Sequence, residues 1–310
     1  MNIFYLEWTN KRPTLCEFRR TIPDKFNFQC SVNIKGLDNI LTEIKLYGLI
    51  DSELKNYSFD VSPYRKRAFL VSHLQKSIRK MKDVKSIKTA KHLIDLDISS
   101  LLRRLPIIMF EDVIPHDSLP ILIWLMIAVT KKFQIKNVMV QWLLGVVYFL
   151  SSCKDHDKVH KIDTLNPNII NSDKIQENIF LRSILIRISY GGMKGDMQML
   201  KYFMQFWYKK MNNNEQINNS KIQYINHNLG NLFIQEWDLC ANDFHCNPKL
   251  IQIVKKQYNL YSEDFIKKLI WEYSSRENKR IKYEINEDEY KDWLIIKKFV
   301  RFQQKNMNFH

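Results

Sequence analysis

Residues 189–196 hold the glycines and the cation best suited to binding a phosphate. Gly191, Gly192 and Gly195 are three of the seven glycines in the chain, and Lys194 stands among them. Glycines with positive φ expose backbone N–H groups, and the start of a following helix adds its positive end, so Gly191, Gly192 and Lys194 are candidate phosphate ligands. The spacing is neither that of a P-loop nor GxGxxG, so no nucleotide is predicted. We favour a tight turn between two closely packed helices.

Two adjacent acids, Glu111 and Asp112, lie between apolar residues, and a His-Asp pair follows at 116–117. Carboxyl groups in a hydrophobic setting can bind a metal or act as a general base. Together with the glycine turn they would serve an enzyme acting on a phosphate-bearing or nucleic-acid substrate. Acids in such positions more often cap helices or pair with nearby arginines, here Arg103 and Arg104. The chain is therefore predicted not to be an enzyme, with Glu111 and Asp112 kept as the alternative.

Two groups of residues carry ligand types that zinc prefers. Cys153, His156 and His160 form one group, and Cys240, Asp243, His245 and Cys246 form the other. Neither group has a second ligand cluster at the spacing of a zinc finger, so no metal and no cofactor are predicted. The second group is interpreted as a structural turn, with a Cys/His nucleophilic pair as its alternative.

The charge of the chain is strongly positive and concentrated. Lys and Arg number 48 against 33 Asp and Glu, a formal net charge of +15. Residues 61–104 contain 12 basic and 3 acidic residues, and residues 181–211 contain 6 and 1. With 45% hydrophobic residues the chain lies outside the range of disordered proteins. Its few glycines disfavour Gly-rich nucleotide-binding folds.

A basic helix face in 61–104 is the predicted binding surface. Helical spacing places Leu74 and Ile78 on an apolar side and the cations opposite, an arrangement suited to a phosphate backbone. The predicted nucleic-acid-binding residues are Arg65, Lys66, Arg67, Lys76, Arg79, Lys80, Lys85, Lys88 and Lys91. Because lysine predominates, the predicted partner is DNA or RNA bound without sequence specificity. An acidic protein partner and a merely solvated face remain as alternatives.

The pattern of apolar residues predicts the elements that carry these groups. Residues 26–34 alternate with period 2, which predicts a small β element at the N-terminus, whereas 40–47 have helical spacing with Gly48 as the stop. The runs 119–129 and 138–150 predict a helical hairpin, and helices are also predicted at 179–190, 197–211 and 284–304. The predicted fold is mainly α: a helical bundle-like body with a small N-terminal β element.

Three domains are predicted along the chain. They are a small α+β element at 1–60, a helical core domain with the basic face at 61–211, and a C-terminal helical region at 221–310. The Asn-rich residues 212–219 mark the boundary between the last two. No apolar run reaches the roughly 20 residues that span a bilayer, so no membrane is predicted. Five well-separated cysteines and no signal peptide predict a reducing intracellular compartment, cytoplasm or nucleus.

A partial resemblance covers about residues 70–150. The motifs are the segments 72–79, with Asp83 and Ala90 after it, then 102–105 (Leu-Arg-Arg-Leu) and 111–113 (Glu-Asp-Val). This stretch resembles the helical region after the ATPase core of the MgsA/Werner-helicase-interacting AAA+ proteins. The resemblance implies a helical, self-associating module of replication or repair machinery. Because the chain has no Walker motifs and no ATPase core, ATP hydrolysis is not implied.

The sequence thus predicts a non-catalytic, nucleic-acid-associated protein. It would be an accessory of replication or repair, present as a homo-oligomer or in a replication complex. The alternatives are the enzyme described above and a helical scaffold that binds an acidic protein.

Overall fold

A four-stranded mixed sheet forms from the first fifty residues of the chain. Its strands are β1 (Ile3–Thr9), β2 (Arg12–Arg19), β3 (Phe28–Lys35) and β4 (Leu41–Ile50), in the order β2-β1-β4-β3. β1 and β4 are parallel neighbours at the centre, and both outer pairings are antiparallel. Positive φ at Asn10 and Lys11 makes the tight β1–β2 turn. The predicted N-terminal β element is confirmed.

The helices of this computed structural model follow the sheet. They are α1 (Arg67–Arg79), α2 (Asp83–Asp112), α3 (Leu119–Thr130), α4 (Asn137–Ser152), α5 (Ile179–Ser189), α6 (Lys194–Asn212), α7 (Pro248–Gln257), α8 (Glu263–Ile270) and α9 (Glu287–Asn306), with a π-helical turn at Trp271–Ser275. The structure describes residues 2–35, 41–157, 175, 177–230, 234 and 248–306. Within those ranges, no helix combines the length and the apolar character needed to cross a membrane.

The prediction of a mainly α, bundle-like fold is wrong. The chain is 53% helical, but 14% of it forms the sheet, which makes the fold a mixture of α and β. The error begins at 40–47, predicted helical with Gly48 as its end, where the structure has strand β4. β4 lies between two other strands and Ile44, Leu46 and Tyr47 are all buried, so the strand lacks the simple alternation of a half-buried one.

The chain divides into two compact units, and each consists of three separate segments. Unit 1 contains Met1–Ser58, Ile98–Val146 and Asp157–His227, and unit 2 contains Phe59–Asp97, Val147–His156 and Asn228–His310. Helices α2 and α4 each run through a boundary, and α2 is interrupted there by the extended backbone of Asp97 (φ −164°, ψ 84°). The three consecutive domains predicted from sequence do not describe this division. The Asn-rich segment predicted as a boundary lies inside unit 1.

Unit 1 packs helices against its sheet. α3 lies against β1 and β2, and the indole N–H of Trp124 donates to the carbonyl of Phe4 at 3.2 Å. A Cβ on Gly48 would stand 2.9 Å from the Trp124 ring, so this glycine permits the close approach of ring and strand. α5 packs against α3 and α6. The predicted helices at 119–129, 138–150, 179–190 and 197–211 are confirmed as α3 to α6.

Unit 2 has its own apolar core in its last segment. Ile251 and Val254 of α7, Ile266 and Leu269 of α8, and Trp293 of α9 are buried together. α7, α8 and α9 contact one another pairwise. The predicted charged helix at 284–304 is confirmed as α9.

Candidate nucleic-acid interface

The nine predicted nucleic-acid-binding cations have very different exposures. Lys76, Arg79 and Lys91 are buried, with 0%, 5% and 1% of their surface exposed. Lys80, Lys85 and Lys88 are half-buried, and Arg65, Lys66 and Arg67 are exposed. A buried side chain does not reach a phosphate at the surface. The predicted face is therefore smaller and contains only the six half-buried and exposed cations. We call Arg65, Lys66 and Arg67 the 65–67 segment.

The 65–67 segment lies at the amino end of α1. Lys66 is the N-cap residue, its side chain makes no capping hydrogen bond, and the first turn of the helix contains no acid. Unsatisfied N–H groups give a helix N-terminus about half a positive charge, which the three cations increase. Arg67 pairs with Asp97 at 3.1 Å, but its side chain is still 65% exposed. The result is a local excess of positive charge in water.

Lys91 and Arg79 make hydrogen bonds in the interior of unit 2. The Lys91 ammonium donates to the carboxylates of Asp95 at 2.5 Å and Asp60 at 2.7 Å. The Arg79 guanidinium donates to the carbonyl of Ser275 at 3.0 Å. Asp95 lies one helical turn after Lys91, but Asp60 and Ser275 are distant in sequence, so helix spacing alone does not show that they contact the side expected to face water.

Arg280 makes hydrogen bonds at the ends of two helices, a role that the sequence did not reveal. Its guanidinium donates to the carbonyls of Ile78 at 3.0 Å, Leu150 at 2.6 Å and Cys153 at 2.8 Å. These carbonyls lie at the carboxyl ends of α1 and α4, where backbone acceptors lack partners within the helix and a cation is favourable. No local pattern signals this role, because the acceptors are more than a hundred residues away in sequence.

The predicted phosphate site at the glycine turn is a tight helix–helix turn stabilised by arginines. Gly191 and Gly192 have φ of +69° and +155°, as the turn interpretation requires. Arg103 donates to the carbonyls of Tyr190 at 3.1 Å and Gly191 at 3.3 Å, and Arg187 donates to Gly191 at 2.9 Å. The guanidinium groups thus satisfy the carboxyl end of α5. These contacts favour the structural interpretation.

Lys194 and Gly195 follow the turn at the start of α6. Lys194 is the exposed first residue of α6. Gly195 has no positive φ, and a Cβ there would meet nothing within 4 Å. The predicted need for glycine therefore applies to positions 191 and 192 and not to 195.

The carboxylates predicted as an alternative catalytic pair lie in different environments. Asp112 is buried and Glu111 is half-buried. Burial raises the pKa of Asp196, in the first turn of α6, and the nearby carboxylate of Glu111 raises it further. Arg104 pairs with Asp196 at 3.4 Å and opposes the shift. The structure thus places Glu111 near Asp196 at the start of α6, and Arg104, one of the arginines expected to pair with Glu111 or Asp112, pairs with Asp196.

Arg187, a basic side chain near Asp196, has a lowered pKa. Arg187 is 3% exposed, and burial, followed by repulsion from Arg103 and Arg104, lowers its pKa to about 10. Asp196 partly offsets the shift. The guanidinium remains charged at neutral pH, so its hydrogen bond to Gly191 is charge-assisted.

His116, Asp117 and Ser220 resemble a catalytic triad, but their hydrogen bonds exclude one. His116 Nε2 lies 2.8 Å from the Ser220 carbonyl and must donate to it, while Nδ1 accepts the N–H of Ser118 at 3.1 Å. Both ring nitrogens of neutral His116 are therefore used, and neither can accept the Ser220 hydroxyl proton, whose oxygen is 3.5 Å from Nε2. Burial lowers the pKa of His116, which favours this neutral form. The histidine fixes residues 218–220 beside the start of α3.

The metal-type groups give no centre in the described part of the chain. Cys153 and His156 are described, but His160 and the whole group Cys240, Asp243, His245 and Cys246 lie outside the described residues. Among the residues that are described, no three His, Cys, Asp or Glu side chains cluster to hold a metal ion. Burial raises the pKa of the Cys153 thiol, which makes it a poor nucleophile near neutral pH.

Comparison of the chain with protein-family models, with curated proteins and with solved structures gave no match. The resemblance of residues 70–150 to the helical region of MgsA/Werner-helicase-interacting proteins therefore stays a prediction.

Proposed function

We propose that the protein is a non-catalytic nucleic-acid-binding protein whose 65–67 segment contacts phosphates. The observation that supports this proposal is the placement of three consecutive exposed cations at the uncapped amino end of α1. These cations add to the positive charge of the helix end, which the ion pair between Arg67 and Asp97 offsets in part. A phosphate is attracted to such an end by the cations and by the helix dipole together.

The proposed footprint is smaller than the one expected from sequence. It keeps Arg65, Lys66 and Arg67 as its centre, with the half-buried Lys80, Lys85 and Lys88 as further cations. The side chain of Lys80 is only 11% exposed and lies 3.9 Å from Glu277, so Lys80 contributes little to this footprint. Contacts from lysine and arginine to phosphates carry no sequence information, so binding to DNA or RNA without sequence specificity is the expected mode.

Cellular context belongs to the same proposal. Cys16, Cys30 and Cys153 are free thiols, which agrees with a reducing compartment such as cytoplasm or nucleus. A role as a replication or repair accessory, as a homo-oligomer or within a replication complex, rests on the resemblance alone.

The test compares two charge-neutralising double variants of the full chain. Fluorescence anisotropy measures binding to a labelled 20-base-pair duplex and to a single strand of equal length between 50 and 200 mM salt. In Arg65→Gln/Lys66→Gln, the slope of log K against log salt on the duplex falls by about 1.8, since each lost phosphate contact contributes about 0.9. Lys25→Gln/Lys55→Gln removes the same charge from exposed positions of unit 1 and should leave the slope unchanged.

Two results would overturn the proposal. One is the absence of salt-dependent binding in the unchanged protein. The other is an equal loss in both double variants, which would assign binding to the net charge instead of the 65–67 segment. Circular dichroism melting of each variant checks that the comparison is made between folded proteins.

A further inference from the structure

Helix α9 has two opposite faces, and among the described residues the apolar core of unit 2 packs against one of them. At about 100° per residue, Trp293, Ile296 and Val300 lie within a narrow arc, and all three are buried. Directly opposite runs a stripe that we call the outer face, which spans about 100° of arc. The outer face consists of Lys291, Leu294, Ile295, Lys298 and Phe302.

The outer face combines exposed apolar groups with cations. Leu294, Ile295 and Phe302 are 42%, 49% and 60% exposed. Lys291 and Lys298 are exposed as well. Leaving three large apolar side chains in water on one helix stripe costs free energy, because each would be stabilised by burial. Such a basic, apolar stripe is typical of an interaction surface rather than a solvated helix face.

Of the four acids of α9, Glu289 and Asp292 are directed away from the outer face, Asp288 lies at its edge, and the exposed Glu287 lies within its arc at the first turn of the helix. Glu289 pairs with Lys268, and Asp292 accepts the hydroxyl hydrogen bond of Tyr261 at 2.6 Å, both toward α8 and its neighbours. Asp288 lies at the edge and pairs with Lys291, with side chains 92% and 72% exposed. An ion pair so exposed contributes little and yields readily to another carboxylate. At the amino end of the outer face Glu287 offsets Lys291, whereas after Asp292 the helix contains four cations and no acid, so net positive charge accompanies the apolar centre from Leu294 onward.

We infer that the outer face of α9 binds an acidic amphipathic helix of a partner protein. The positions 291, 295, 298 and 302 follow the alternating three- and four-residue steps of a two-helix seam, with lysines and apolar residues in turn. Lys291 and Lys298 are two turns apart, about 10 Å, so the partner needs carboxylates seven residues apart and apolar side chains between them. A second copy of this chain fits poorly, since each copy has a net charge of +15. Nucleic acid would leave the apolar groups uncovered.

The first experiment measures binding of a designed probe peptide. The probe is a fluorescein-labelled 21-residue helix with glutamates seven residues apart and leucines on the same face, and its matched control has lysines in place of the glutamates. We expect the acidic peptide to bind the unchanged protein with a Kd in the micromolar range and the lysine peptide to bind at least tenfold more weakly. In Lys291→Glu/Lys298→Glu this preference reverses. Lys256→Glu/Lys282→Glu, an equal change at exposed positions of unit 2, keeps the original preference.

The second variant tests the apolar half of the inference. Ile295→Gln/Phe302→Gln should weaken the acidic peptide at least tenfold while the melting temperature stays unchanged, because both side chains face water. Equal binding of both peptides, or no effect of either outer-face variant, overturns the inference. So does sedimentation with vesicles of phosphatidylserine and phosphatidylcholine that depends on Phe302, which indicates a membrane surface, or a dimer that this variant dissociates, which indicates a second copy. None of these outcomes depends on the 65–67 segment.

Discussion

Two helices of unit 2 differ in what they bury: α1 buries polar side chains, whereas α9 exposes apolar ones. Eight consecutive residues of α1, from Ser72 to Arg79, are buried although six of them are polar. Helix α9 keeps Leu294, Ile295 and Phe302 in water. The difference lies in what covers each helix: segment 275–280 supplies hydrogen-bond partners at the end of α1, and the side of α9 opposite the core has no described neighbour packed on it. Burial of polar groups is tolerated where partners exist.

The largest loss of stability is expected from breaking the buried ion pair between Lys91 and Asp95 of α2. Lys91→Met leaves the Asp95 carboxylate, 1% exposed, without its cation, so the free energy of unfolding should fall by about 3–5 kcal/mol. Urea denaturation followed by circular dichroism measures the change. Lys91→Met/Asp95→Leu removes both charges and should recover most of the loss. A loss in the double variant as large as the sum of the single ones would contradict the pairing.

The next effect concerns the contact between segment 275–280 and the helix ends. Arg280→Ala removes hydrogen bonds to three carbonyls and should lower the free energy of unfolding by about 3 kcal/mol. Arg280→Lys retains the charge but cannot reach all three acceptors, so an intermediate value is expected from the same denaturation experiment. If Arg280→Ala unfolds at the same urea concentration as the unchanged protein, the polar interior of unit 2 does not depend on this residue.

His116 of unit 1 tests whether burial of a polar group affects stability outside unit 2 as well. Because burial lowers the pKa of His116, the unfolded chain binds a proton at higher pH than the folded one. Stability should therefore fall as pH drops below about 6.5, by at most about 1.4 kcal/mol per pH unit for one proton. Thermal melts of His116→Gln should lack this component. Asp117→Asn removes the charge that opposes the shift and should steepen the fall; a flat profile in the unchanged protein would refute the assignment.

The smallest effect is expected on the outer face of α9. Leu294→Gln and Ile295→Gln replace side chains that are already about half exposed, so each should change the free energy of unfolding by less than about 0.5 kcal/mol. Trp293→Gln, one position away on the core face, should destabilise by several kcal/mol. Urea midpoints compare the three variants. Similar losses in all three would mean that the outer face is buried in solution.

The sequence predicted elements well where one periodicity dominates. The apolar hairpin of α3 and α4 and the alternating strand β3 follow from local spacing. Strand β4 was predicted as a helix because a strand buried on both sides loses alternation, and its pairing with β1 joins residues about forty positions apart. The division into interleaved units was not predictable, since it depends on contacts between distant segments.

The candidate site was predicted in part for the same reason. The 65–67 segment was identified because three adjacent cations before a helix are a local signal. Arg79 and Lys91 were assigned to an exposed basic face, since Ser275 and Asp60 are distant from them in sequence. The contacts of Arg280 and the His116–Ser220 arrangement left no sequence signal for this reason as well. The spacing of Lys91 and Asp95, four residues apart, was a local signal of their ion pair that the prediction did not use.

The interleaving of the two units has a consequence for synthesis on the ribosome. Unit 1 has all its segments once His227 has emerged, whereas unit 2 needs Asn228–His310, about 80 residues more. At translation rates of roughly 5–20 residues per second, helix α1 waits about 4–16 s for that segment. During this interval Ile78 and Arg79, at the end of α1, lack the hydrogen bonds that Ser275 and Arg280 provide. The nascent chain therefore passes through a stage at which a chaperone, or a slow pause in translation after unit 1, would determine how much protein folds.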